Sequence, residues 1–225
     1  MTSPDAVSVH EQGAAQYDKQ VHEYNSYTHD VLFGMSYEYV KPGECLLDLG
    51  IGTGLASRSF ARLGLKVYGC DGSAEMIKVC DSKGFAEELS VLDLNDIPLP
   101  FSDNFFDHVI CCGVLHFFGD LEAILKEVLR MTKPGGIFAF TLASQTPTEE
   151  TDDHDSRRGY LETPTPWGVT VFKHSSRYIS SLLEDHGADI LKTQKLLIRG
   201  GPGDDSEDML FSAFISCRKR TAGDL

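Results

Sequence analysis

Apolar positions along the chain follow two alternating rhythms. Short runs rich in apolar residues at 45–49, 66–70, 88–92, 108–112 and 137–142 predict strands. Between them, spacings of three and four predict helices. One covers 55–63 through Ala56, Phe60 and Leu63, and a second carries Met76, Ile77 and Cys80. A third covers 120–131, where Leu121, Ile124, Leu125, Val128 and Leu129 recur at i, i+3, i+4, i+7 and i+8. Residues 11–40 are helical in character, with Tyr17, Val21, Tyr24, Leu32 and Tyr39 among the apolar positions, and Pro42-Gly43 ends them. Residues 175–187 predict a last helix, and 188–199 and 209–217 two last strands. No helix joins that final pair, so the two strands must be antiparallel. The rest alternates strand and helix, which implies a parallel sheet with right-handed crossovers. Residues 143–171 show no periodicity and contain Pro147, Pro164 and Pro166; a stretch this long is expected to be a functional loop or lid.

The first strand runs into Leu46-Leu-Asp-Leu-Gly-Ile-Gly-Thr-Gly-Leu55. Glycines let the backbone turn sharply and let a ligand lie against it at the start of a helix. Three readings suit such a loop: a tight turn without ligand, a dinucleotide site, or an S-adenosylmethionine site. The dinucleotide fingerprint G-x-G-x-x-G is not met, because the position after Gly54 is Leu55. Asp48, two residues before Gly50, is also awkward beside a pyrophosphate and suits a ligand that presents an ammonium group. Asp71 follows Gly50 by 21 positions, at the tip of the second strand. An acid there hydrogen-bonds ribose hydroxyls in nucleotide-binding α/β folds. The competing role of helix cap falls instead to Ser73, with Glu75 in the first turn.

Asp48-Leu-Gly50-Ile-Gly52-Thr-Gly54 resembles motif I of the class I S-adenosylmethionine-dependent methyltransferases, with Ile51 where that family often has a small residue. Two further stretches are similar to the family's small-molecule members: Leu99-Pro-Phe-Ser-Asp-Asn-Phe-Phe-Asp107, and the turn Lys133-Pro-Gly-Gly136. Phe172-Lys-His-Ser-Ser-Arg-Tyr178 and the terminal strand pair are similar to the methyltransferase domain of predicted tetratricopeptide-containing methyltransferases. The resemblance implies an α/β, Rossmann-like three-layer sandwich. Its seven-stranded sheet would be mostly parallel with an antiparallel last strand, in the order 3-2-1-4-5-7-6. It implies one domain over 1–225, with residues 1–40 as a helical cap and 143–174 as a substrate-side insert. The cofactor would be S-adenosyl-L-methionine, with S-adenosyl-L-homocysteine as product. Cofactor-binding positions would be Tyr17, Asp48, Gly50, Ile51, Gly52, Thr53, Gly54, Asp71, Gly72, Ser73, Met76, Asp93, Leu94 and Cys112. Asp93 would accept from the adenine amino group. Met76 is placed to touch the adenine face or to pack in the core. Among the tyrosines, Tyr17 best matches the one lining the methionine end, with Tyr24 and Tyr27 as second choices.

Methyl transfer from a sulfonium needs an aligned nucleophile, and a base only if that nucleophile carries a proton. His116 follows the fourth strand, whose end faces the ligand crevice, and is the candidate base; it is equally a packing residue of that loop. Tyr24, Tyr27, His116, Tyr160, Trp167 and His174 are candidate substrate contacts, with His154, Arg157, Arg158 and Arg177 behind them. The expected acceptor is a small molecule with an O, N or C nucleophile. A non-catalytic binding or assembly factor with the same pocket is the alternative.

Composition narrows the partners. The 225 residues carry a formal net charge of −14, which argues against a nucleic-acid surface and disfavours anionic membranes. None of the six cysteines shows metal-ligand spacing, so no metal is expected, and they read as buried thiols of a reducing compartment. No secretory pattern opens the chain, and a cytoplasmic monomer or homodimer is expected.

Overall fold

The computed structural model describes residues 7, 11, 13–24, 26–151, 158–165, 168–198 and 208–220. Nine strands form two sheets among these residues. β1 (Cys45–Leu49), β2 (Lys66–Asp71), β3 (Ala86–Val91), β4 (His108–Cys111) and β5 (Ile137–Ala143) pair in parallel. β9 (Met209–Arg218) lies antiparallel between β5 and β8 (Ala188–Ile198). The sheet order is therefore β3-β2-β1-β4-β5-β9-β8, the order expected, with β8 and β9 as the sixth and seventh strands.

Helices cover both faces, because central strands buried on two sides need apolar partners on each. Leu47, Leu49, Val109, Phe138 and Phe140 meet α5 (Glu122–Met131) and α7 (Ser176–Asp185) through Leu125, Val128, Ile179 and Leu183. Leu46, Ile110 and Ala139 point the other way. They meet Leu32 of α2 (Thr28–Ser36) and Phe60 of α3 (Ser57–Leu63). The alternation places Asp48 on the face of Leu46, under the N-terminal helices. Ser73 caps α4 (Ala74–Asp81), its hydroxyl accepting from Met76 N at 3.2 Å, as its position predicts. The α5 N-terminus is held from a distance: the Tyr178 hydroxyl of α7 accepts from Leu121 N at 3.0 Å.

Two regions differ from the sequence expectation. Residues 11–40 are not one helix. A 3₁₀ turn (Ala14–Gln16), α1 (Tyr17–Glu23), α2 and a second 3₁₀ turn (Tyr37–Tyr39) follow one another. The break falls between Glu23 and Thr28, around Ser26, a residue type that competes with helical hydrogen bonds. It frees α1 to turn over the glycine loop while α2 stays on the sheet. Residues 143–174 are not bare loop either. They hold α6 (Pro147–Thr151) and an antiparallel pair, β6 (Tyr160–Pro164) and β7 (Thr170–His174). The pair is short, flanked by proline and mixed in polarity, so it leaves no period of two to read.

Candidate active site

A cleft of 590 Å³, within the usual range for small-molecule sites, opens at the C-terminal ends of β1, β2 and β4. Strand ends of a parallel sheet converge there at the point where strand order reverses. The loop after β1 forms its floor, and its three glycines serve different ends. Gly50 and Gly54 are pressed by neighbours: an added Cβ would lie 2.4 Å from Val114 Cγ2 in one case and 2.4 Å from Phe85 Cζ in the other. Gly52, with φ at +54°, has no atom within 4 Å of that position and lines the cleft. A ligand can therefore approach its backbone. Ile51, the bulky departure from the expected motif, is accommodated by Gly69 of β2, where an added Cβ would be 2.4 Å from Ile51 Cδ1.

Asp48 is 1% exposed and lines the cleft. Neither carboxylate oxygen has a hydrogen-bond partner. Burial pushes its pKa up to about 7; the Ser57 hydroxyl nearby, outside hydrogen-bonding geometry, offsets this in part and the negative Asp71 adds to it. Asp71 has a different setting. Its Oδ2 accepts from Gly52 N at 2.9 Å and its Oδ1 from Ser73 N at 2.8 Å, so the β2 tip fixes the glycine loop. A carboxylate oxygen can accept more than one hydrogen bond. Asp93, beyond β3, also lines the cleft, and its Oδ1 accepts from Asn95 N at 2.9 Å in a local turn.

Tyr17 of α1 closes the cleft from above. Burial pushes its hydroxyl up to about 12, with Cys112, Asp71 and Asp18 adding to the effect. Its neighbour Asp18 ties α1 to the floor. Thr53 Oγ1 donates to Asp18 Oδ1 at 2.5 Å, and Lys83 Nζ pairs with Asp18 Oδ2 at 2.6 Å and donates to Thr53 O at 2.7 Å. These three residues are far apart in sequence, and no periodicity marks them. Cys112 lines the cleft at the end of β4; burial pushes its thiol up to about 12, so it is not a thiolate nucleophile at neutral pH. His116 sits in the 3₁₀ turn Leu115–Phe117, its ring 4.1 Å from that of Phe117 and 5.1 Å from that of Phe211.

Of the positions expected from sequence, the cleft brings together Tyr17, Asp48, Gly50, Ile51, Gly52, Thr53, Asp71, Gly72, Met76, Asp93, Leu94, Cys112 and His116. Gly54 and Ser73 stand behind it, the first against Phe85 and the second as a helix cap. Tyr24 and Tyr27 are exposed at 44% and 57% and do not line it. Tyr160 and His174 lie elsewhere. They pack with Tyr178 and Phe172, and His174 Nε2 bonds Gly119 O at 2.9 Å. Burial lowers the His174 pKa to about 4, so it stays neutral and structural. Arg158 and Arg177 are exposed; His154, Arg157 and Trp167 lie outside the described residues. Sequence reasoning missed Val21, His29, Phe117, Ile198 and Phe211. All five read as ordinary positions of helices, strands or loops until the fold gathers them. No group of three metal-ligating side chains and no helix long and apolar enough to cross a membrane occurs among the described residues.

Comparison with known proteins agrees with this geometry. Residues 47–140 match the methyltransferase domain family. A demethylmenaquinone methyltransferase of Corynebacterium kroppenstedtii is 38% identical over 96 residues, 43% of this chain and 40% of that protein. A malonyl-[acyl-carrier protein] O-methyltransferase of Serratia marcescens is 34% identical over 122 residues, 54% of this chain and 46% of that protein. The chain thus spans less than half the length of these curated relatives. Magnesium protoporphyrin IX methyltransferase of Synechocystis PCC 6803, solved with bound SAH, shares the fold. Its TM-score is 0.62 at 19% identity over 88% of this chain and 84% of that one.

Proposed function

We propose that this chain is a class I S-adenosylmethionine-dependent methyltransferase that transfers a methyl group to a small-molecule acceptor; the match of residues 47–140 to the methyltransferase domain family and the sheet order support the reading. The observation that carries the reading is the Asp48 carboxylate, buried in the cleft with both oxygens unpartnered, beside an open Gly52 backbone. A buried anion of this kind calls for a cation, and a nicotinamide dinucleotide would bring a pyrophosphate to the same loop. The ammonium of S-adenosylmethionine meets the requirement. Asp71 suits the ribose hydroxyls, Asp93 the adenine amino group and Tyr17 the methionine end.

When bound, the cofactor supplies a methyl group already activated on a sulfonium. The chain then has to orient and to exclude water. Asp48 and Asp71 fix the ammonium and the ribose of the donor. Tyr17, held down through Asp18, Thr53 and Lys83, shields it from solvent. His116 is the one imidazole carried on the turn after β4 and is placed to accept a proton or hydrogen bond from an acceptor in the cleft. The names of the relatives offer two acceptors, demethylmenaquinone and a malonyl group on acyl-carrier protein, as starting compounds for a screen. Two measurements test the reading. Calorimetry should give micromolar binding of S-adenosylhomocysteine, on the order of −8 kcal/mol, and far weaker binding of NAD. Incubation with a metabolite panel, scored by S-adenosylhomocysteine release, identifies the acceptor. Tight NAD binding without any response to S-adenosylhomocysteine would overturn the assignment.

A further inference from the structure

We propose that the half of the cleft away from the acids takes a neutral, planar, largely apolar acceptor bearing a hydroxyl, and rejects acceptors that carry a negative charge. The inference rests on the reading just given and deepens it.

Sheet order divides the cleft. The ends of β1 and β2 and the turn after β3 supply Asp48, Asp71 and Asp93 on one side. The turn after β4 and the ends of β9 and β8 lie on the other, and supply Phe117, Phe118, Phe211 and Ile198. β9 runs antiparallel to β5, with Phe211 opposite Ala143, and this brings the start of β9 to the same edge as the ends of the parallel strands. The aromatic wall is continuous: the His116 ring lies 4.1 Å from Phe117 and 5.1 Å from Phe211. Flat faces and edges of this kind favour a ring stacked or set edge-on against them.

Charge selects further. Three carboxylates and no lysine or arginine line the cleft among the described residues. Lys83, the cation tied to the loop floor, is committed to Asp18 and Thr53 O. A carboxylate or phosphate on the acceptor would enter the field of Asp71 and Asp93 and leave water for a wall whose described residues offer it no ion pair. The basic groups that do line the cleft are two imidazoles, His29 and His116. They exchange hydrogen bonds with a hydroxyl without the fixed charge of Lys or Arg.

The test is a calorimetric comparison of 2-naphthol with 6-hydroxy-2-naphthoate, which has the same ring and hydroxyl plus one carboxylate. Both are titrated into the full chain, with and without saturating S-adenosylhomocysteine. The expected result is at least tenfold tighter binding of 2-naphthol, with Phe117→Ala weakening it about fivefold and shifting S-adenosylhomocysteine affinity less than twofold. Equal or tighter binding of the naphthoate, or no binding of 2-naphthol to the loaded chain, would overturn the proposal and leave the cofactor reading intact. Failure of S-adenosylhomocysteine itself to bind would overturn that reading instead. The ratio of the two naphthols on the unloaded chain would then still decide this one.

Discussion

At the scale of single residues, Asp48 and Asp71 show how one residue type takes two roles from two settings. Asp48 has a pKa raised from 3.8 to about 7 by burial. Between those pH values the folded chain holds a proton that the unfolded chain has released. Stability of the ligand-free protein therefore falls as pH rises from about 4 to about 7, by an amount on the order of a few kcal/mol. Asp48→Asn should flatten that slope in thermal unfolding measured across the range. A bound ammonium favours the charged carboxylate, so cofactor affinity should climb with pH up to about 7 and then level. In Asp48→Asn the climb should vanish and affinity should be low throughout; a pH-independent wild-type affinity would show that Asp48 does not meet the ammonium. Asp71→Ala should cost roughly 1.5–3 kcal/mol of S-adenosylhomocysteine affinity, the scale of hydrogen bonds to a charged group. Because Asp71 also accepts from Gly52 N and Ser73 N, the same variant should speed amide exchange at both positions. Unchanged affinity in the folded variant would place the ribose elsewhere.

At the scale of elements, the decisive contact joins α1 to the glycine loop and to Lys83 just past α4. Lys83 is 18% exposed and Asp18 42%, between a surface pair and a buried one, so the link contributes about 1 kcal/mol. Lys83→Ala should loosen α1, seen as faster hydrogen exchange over residues 17–23, and weaken cofactor binding about fivefold. Cofactor should slow exchange in residues 17–23 of the wild type; equal exchange with and without S-adenosylhomocysteine would mean that α1 does not act as a cover. The insert, expected from sequence to be a functional loop or lid, is described over residues 143–151, 158–165 and 168–174. None of its described residues lines the cleft. It buttresses the turn that carries His116 instead, with Tyr160 and Phe172 packed against Gly119 and His174 bonded to its carbonyl.

At the scale of the molecule, ligand binding is linked to folding. Saturation at a hundred times Kd stabilises by about 2.7 kcal/mol, which for a chain of this size raises Tm by about 5–10 °C. S-adenosylhomocysteine should produce that shift and NAD at the same concentration should not. The fold was legible in the chain because its signals are local. Apolar runs of strand length, the i, i+3, i+4 stripe of α5, glycines two apart after an acid, and an acid 21 residues later all lie within one supersecondary unit. The acid-lined half of the cleft comes from those same units, so most of the positions named from sequence there do line it. The opposite wall was not legible in this way. It joins Val21 of α1, Phe117 after β4, Ile198 of β8 and Phe211 of β9, which meet only because β9 inserts antiparallel between β5 and β8. Tyr160 and His174 illustrate the converse, polar-tipped residues that look available in sequence and that packing withdraws from the cleft. Short-range physics, the pattern of burial and the glycine chemistry of a turn, determined the sheet and the acid-lined half of the cleft; long-range pairing, which no local period encodes, decided which side chains form its opposite wall.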